Sequence, residues 1–217
     1  MIPLSVPSLE GNESKYVQDC IETGWISSAG EYVNKFEKII ADYCGAKYGI
    51  ACMNGTAGLH ISLILSGVTS EDHVIVPNIT FIASLNSIKY TGASPILIDV
   101  NEDDWQMDLN LLEKYLQDNT YTESVEGKKH TFSSETKKRI KAIMPVHVLG
   151  NVGDLDQLLK ISNKYNLDII EDSTEALGSR YKNKHVGTFG KFGVFSFNGN
   201  KIISTGGGGV IVTNMKC

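Results

Sequence analysis

Residues 192–213 read FGVFSFNGNKIISTGGGGVIVT. Two short apolar runs, 192–197 and 210–213, bracket a polar segment that holds one lysine, Lys201, ahead of four consecutive glycines. Short runs rich in Phe, Val and Ile between turn residues have the composition of strands, so the lysine sits on a tight connection between two of them. The glycines at 206–209 can take positive φ and admit a ligand or a second backbone, and Ser196 offers a hydroxyl upstream of the amine. By itself this is equally the pattern of a hairpin with a solvated lysine. A Walker-type phosphate loop is excluded by order, because the glycines follow the lysine instead of leading into a GK[ST] helix start.

Outward from that stretch, residues 167–170 read as a strand ending in Glu171, Asp172 and Ser173, and 154–165 as a helix with Asp154 as its N-cap. Residues 139–149 have strand character, with His147 near their end. A βαβ unit is expected over 73–77, 81–90 and 94–100, with a further helix over 109–116. Residues 117–136 are polar and read as a surface insertion, and the basic clusters Lys128–Lys129 and 137–141 as a solvated loop. Near the start, 48–53 reads as a strand, followed by Asn54, Gly55, Thr56, Ala57 and Gly58 and a helix over 59–65. That order points free backbone N–H groups and the positive end of a helix dipole at an anion. There is no GxGxxG to suggest a dinucleotide. Helices are expected over 12–23 and 32–43, joined by GWISSAG at 24–30, a plain connector or a ligand-contacting loop.

Alternating short strands and helices argue for α/β architecture, three layers with a mainly parallel sheet. In such a sheet ligands bind beyond the carboxyl ends of the strands. Phe81 and Asp172 both fall there: the aromatic is either core or a stacking surface for a flat ring, the carboxylate either a helix cap or the partner of a cationic ligand group.

At 217 residues, 41% hydrophobic and 21% charged, the chain is ordinary globular material with room for one sizeable core. A net charge of −5 advertises no nucleic-acid partner. The start, MIPLSVPSLEGNE, lacks a signal peptide's charged and apolar regions, and no stretch has the length of a membrane span, so a soluble, cytoplasmic protein is expected. Cys20, Cys44, Cys52 and Cys217 show no CxxC pairing and no metal-ligand spacing; they read as reduced, mostly buried thiols, with no metal expected.

Four signals converge on one chemistry: an anion cradle at Gly55, Thr56 and Ala57, an aromatic at Phe81, a carboxylate at Asp172, and the amine of Lys201 near Ser196. A phosphorylated, planar, basic aldehyde needs each of them. Pyridoxal phosphate is held by a lysine, requires an acid at its ring nitrogen and has a phosphate to anchor.

The motifs NGTAGL, VPNITFIAS, EDSTEALGS and SFNGNKIISTGGGG, with the opening IPLSVPSLEGNE and GWISS, resemble the DegT/DnrJ/EryC1/StrS sugar aminotransferases of pyridoxal-phosphate fold type I. KIISTGGGG and WQMD look most like the legionaminic-acid-type (LegC-like) members, which act on UDP-linked 4-keto-6-deoxy sugars. The resemblance implies that Lys201 carries the cofactor as a Schiff base and moves the proton, and that Asp172 binds the pyridine nitrogen. Its amine must be neutral to attack, so cationic or apolar surroundings are expected around it. The backbone N–H groups of Thr56 and Ala57 and the Ser196 hydroxyl would hold the phosphate, and Phe81 would stack on the ring. Glu175 stands near the cofactor where many members have Gln or His, and its role is open. Trp25, Ser27 and His147 are candidate substrate contacts. A nucleotide-sugar acceptor, glutamate as amino donor and a homodimer follow from the same resemblance.

Family members continue into a smaller C-terminal domain, whereas this chain stops at Cys217. Residues 1–217 are therefore expected to form the large domain, with an N-terminal helical arm over about 1–45 and no small domain, and to be a poor catalyst. A catalytically incomplete cofactor-binding or dimerisation remnant is the alternative. A sugar dehydratase of the same fold is disfavoured, since those relatives typically carry His where Lys201 stands.

Overall fold

The computed structural model describes residue 2 and residues 6–216; Cys217 lies outside the described residues. Two helices come first, α1 (Glu13–Thr23) and α2 (Glu31–Cys44), each ended by a left-handed glycine, Gly24 at φ 75° and Gly45 at φ 74°, a backbone that a Cβ disfavours. Strands and helices then alternate through β1 (Tyr48–Cys52), α3 (Gly55–Leu65), β2 (Asp72–Pro77), α4 (Ile82–Tyr90), β3 (Ser94–Ile98) and α5 (Leu109–Asn119). A hairpin of β4 (Thr120–Val125) and β5 (Lys128–Ser133) leads to β6 (Arg139–Ile143), α6 (Leu155–Tyr165) and β7 (Asp168–Asp172). A small ribbon, β8 (Arg180–Tyr181) with β9 (Lys184–His185), precedes β10 (Phe192–Ser196) and β11 (Gly209–Thr213).

The main sheet runs β1-β11-β10-β7-β6-β2-β3. From β10 to β3 every neighbour is parallel, and β11 runs antiparallel to both β10 and β1. Successive strand residues face opposite sides of a sheet, and the core sorts that way. Val74 and Val76 pack with Leu59 and Leu63 of α3 and Ile88 of α4, whereas Ile75 between them joins Leu112 of α5 and Leu158 of α6. Helices thus cover both faces, as the three-layer reading expects. A third cluster sets Ile40 and Cys44 of α2 against Phe195, Phe197, Val210 and Val212. Burial pushes the Cys44 thiol up to about 12, an inert core group. No helix among the described residues is long and apolar enough to cross a membrane.

Three expectations are corrected. Residues 117–136 complete α5 and form β4 and β5, and β5 joins the sheet through β6 with Thr131 opposite Ile140. Its buried positions are polar, Thr131 and Ser133, so a count of aliphatics misses it. The basic residues 137–141 are not one solvated loop: Arg139 clamps the buried Asp72 at 2.6 and 2.8 Å, and Lys141 meets Asp168 at 2.7 Å. Helix α3 begins at Gly55 and not at 59, because the Asn54 side chain accepts from Ala57 N at 2.8 Å and caps it there.

Candidate active site

The loop after β7, the end of β10 and the first turns of α3 and α4 line one cavity, and Asp172 at the end of β7 is not itself among its lining residues. Asp172, the last residue of β7, is 3% exposed. Its Oδ2 accepts from Ser84 Oγ at 2.6 Å, and its Oδ1 from Thr174 N at 3.2 Å. Ser84 sits in the first turn of α4, and Thr80 Oγ1 lies 2.7 Å from its hydroxyl. A short chain of hydroxyls therefore fixes the buried carboxylate from the α4 side. Sequence reading missed Ser84 and Thr80, although both belong to the quoted VPNITFIAS.

Ser196 closes β10, and Lys201 follows on the connection to β11, whose backbone is folded on itself by Lys201 N to Asn198 O, Thr205 N to Phe197 O and Phe197 N to Gly208 O, each 2.9 Å. Lys201 Nζ donates to Glu175 Oε1 at 3.2 Å, with the lysine side chain 14% exposed. The amine thus faces a carboxylate where cationic or apolar surroundings were expected. Glu175 Oε2 accepts from Leu149 N at 2.9 Å.

Gly55 opens α3 against these residues. A Cβ there would lie 2.8 Å from Thr174 Cγ2 and 3.1 Å from Ser196 Cβ, so only bare backbone lets the helix start press on the wall. Ala57 N is already spent on the Asn54 cap. Among the described residues Gly55 N and Thr56 N find no protein acceptor, and the anion cradle is therefore narrower than expected. The cavity, about 310 Å³, has Gly55, Thr56, Phe81, Glu175, Ser196 and Lys201 among its lining residues. Phe81, the N-cap of α4, is 71% exposed on its wall and is no part of the core.

Three candidate substrate contacts fall elsewhere. Trp25 and Ser27 are exposed on the α1–α2 loop and do not line the cavity. His147 is buried at 1% exposure, beyond the end of β6, with Nε2 donating to Glu171 Oε2 at 3.1 Å. It does not line the cavity: its backbone N–H is held by Asp172 O at 3.0 Å, and it borders a separate pocket with Gln106, Met107 and Leu158. Glu171 is a third residue that sequence reading missed. It is fully buried on the face of β7 opposite Asp172, and accepts from Gly187, Phe189 and Gly190 N, each at 2.7 Å. Burial alone would raise its carboxyl, but His147 and these backbone donors outweigh that and hold it below the usual carboxylate range.

Pyridoxal phosphate can be tested against this donor set. A primary amine projects into the cavity, a buried carboxylate with fixed orientation lies at a strand end, two unclaimed N–H groups open an eleven-residue helix, and an aromatic face is exposed on the wall. These residues fit the group.

Comparison with known proteins gives a concordant result. A family model described as the DegT/DnrJ/EryC1/StrS aminotransferase family matches residues 7–216. A GDP-perosamine synthase of Caulobacter vibrioides is 44% identical over 213 residues, 98% of this chain and 52% of its own. One of Vibrio cholerae is 39% identical over 214 residues, 99% and 53%. The chain spans about half the length of the curated relatives it matches. The solved aminotransferase from Psychrobacter cryohalolentis superposes with a TM-score of 0.82 at 31% identity, covering 98% of this chain and 50% of that one.

Proposed function

Because the chain belongs to the DegT/DnrJ/EryC1/StrS aminotransferase family, we propose that it is the cofactor-binding domain of a pyridoxal-phosphate-dependent sugar aminotransferase, transferring an amino group from glutamate to a nucleotide-linked 4-keto-6-deoxy sugar. The observation that carries this reading is the Lys201 side chain, 14% exposed, lining a cavity together with a helix start that has unclaimed N–H groups. Bound there, pyridoxal phosphate supplies a carbonyl to which an amine can be attached and an electron sink for the neighbouring C–H bond.

The chain's own residues do the rest. Gly55 N and Thr56 N, at the positive end of α3, bind a phosphate, with the Ser196 hydroxyl beside them. Phe81 offers a ring-sized apolar face. Asp172, oriented by Ser84 and Thr174 N, would pair with a protonated ring nitrogen. Lys201 takes and returns the proton at the substrate carbon. The names of the relatives give a GDP-linked sugar as product, which supports a nucleotide-sugar acceptor; GDP- and UDP-linked keto sugars assayed side by side decide the nucleotide. A homodimer and a cytoplasmic location belong to the same proposal.

Borohydride reduction of protein loaded with pyridoxal phosphate, followed by peptide mapping, is expected to place the pyridoxyl label on Lys201. Stoichiometric label on another lysine would overturn the assignment, and a chain that neither turns yellow nor takes label would overturn the reading.

A further inference from the structure

Glu175 uses its two oxygens on different parts of the site. Oε1 meets Lys201 Nζ at 3.2 Å and Oε2 accepts from Leu149 N at 2.9 Å. Leu149 is itself unusual: its φ is 53°, in the left-handed region that a branched side chain resists. A residue stays in that backbone only when its surroundings hold it there. Glu175 is one such restraint, and Gly150 is another: it takes φ 80° next to Glu175 O, and its carbonyl accepts from Ser179 Oγ at 2.7 Å. The turn Val148–Gly150 is thereby tied to the segment that carries Glu175.

The charges around the amine are few. On the loop after β7 stands Glu175; β7 itself brings Asp172, already engaged by Ser84 and Thr174 N. The elements packed against Lys201 from the α3 start, the α4 start and the 197–200 connection present Asn54, Thr56, Phe81, Asn198 and Asn200, all uncharged. One carboxylate is thus the nearest counter-charge of the one amine.

We propose that Glu175 is the positioning residue of Lys201: one oxygen aims the amine into the cavity, while the other fixes the Val148–Gly150 turn as part of the same wall. The inference rests on the aminotransferase reading only for its catalytic meaning. The contact itself can be tested without cofactor.

The test compares wild type with Glu175→Gln, which keeps an oxygen for Leu149 N but removes the charge, and Glu175→Ala, which removes both. In the cofactor-free chain, acetic anhydride labelling of Lys201 near neutral pH is measured by peptide mapping against exposed Lys15 as internal standard. Glu175→Gln takes away the charge-assisted hydrogen bond that engages the amine, so labelling of Lys201 in this variant is expected to rise about three- to tenfold. In protein loaded with pyridoxal phosphate, the pH midpoint of the visible band should fall by about one unit in the same variant. Hydrogen exchange at Leu149 should quicken in Glu175→Ala and stay near wild type in Glu175→Gln. Unchanged Lys201 labelling in Glu175→Gln overturns the proposal, leaving Glu175 a loop staple. Labelling that responds in a chain that never turns yellow upholds the proposal and overturns the aminotransferase reading instead.

Discussion

Replacing Glu171 by Gln is expected to destabilise the chain by about 3 kcal/mol without touching the cavity. The carboxylate accepts from four donors, two per oxygen: Phe189 N and Gly190 N on Oε1, Gly187 N and His147 Nε2 on Oε2. An amide offers one accepting oxygen and one NH₂. If the NH₂ takes the Oε1 position, the N–H groups of Phe189 and Gly190 lose their acceptor. If it takes the Oε2 position, Gly187 N–H is orphaned and His147 must accept instead, which moves its ring proton to Nδ1, an atom already buried without a partner. Either orientation leaves two buried donors unsatisfied, at about 1–3 kcal/mol each. Removing a buried charge works in the opposite direction, since burial by itself opposes ionisation of this carboxyl, and brings the sum to the lower half of that range. For a chain of this size about 3 kcal/mol corresponds to a fall in Tm of about 6–12 °C. Urea and thermal unfolding measure it, and hydrogen exchange should locate the loosening at residues 187–190. A Glu171→Gln chain within about 0.5 kcal/mol of wild type would refute the claim that this carboxylate anchors the loop.

Asp172→Asn should preserve the fold and retain cofactor while lowering amino transfer by at least about 100-fold, because the lost charge acts on the carbanion-forming step; near-normal turnover would place the ring-nitrogen partner elsewhere. Stability should also depend on acid. The carboxyl of Asp72, which burial would raise, is brought below its ordinary range by Arg139 and Thr69, and that of Glu171 is likewise lowered. Both groups therefore add stability that is fully present above about pH 5 and is lost as pH falls through their folded values. Asp72→Asn should flatten the acid limb of a stability-against-pH curve, and an unchanged limb would count against the Arg139 clamp as its source.

Residues whose roles depend on position along one element were legible in the sequence. Asp172 ends a strand and Lys201 lies on the connection between β10 and β11, while Phe81, expected as the first residue of a helix, is its N-cap, and Ser196, expected one residue inside a strand, ends it. What failed depended on packing between elements. The expected helix begins only at 59, after Gly55 and Gly58, whereas α3 contains both glycines. Their missing Cβ atoms are in fact required, since a Cβ at Gly58 would come within 2.7 Å of Val194 Cγ1, and close packing overrides weak propensity. A helix start at 59 leaves Ala57 N free for an anion, whereas the start at Gly55 commits it to the Asn54 cap.

The acidic run between 171 and 175 shows why charge alone could not be read further. Glu171, Asp172 and Glu175 are all carboxylates within five residues of EDSTE, and the strand's alternation sends the first two to opposite faces of the sheet. Glu171 meets three backbone N–H groups and a histidine in the layer beneath; Asp172 meets a serine from α4 above. Glu175 lies beyond the strand, where the chain turns back, and reaches an amine 26 residues away in sequence. The strand period could have separated the first two. The third is set by a loop whose course follows from the left-handed Leu149 and the folded 197–208 connection, neither of which has a periodic signal. The loop anchor is thus a matter of stability, and the lysine's counter-charge one of chemistry, although both are glutamates of one short motif.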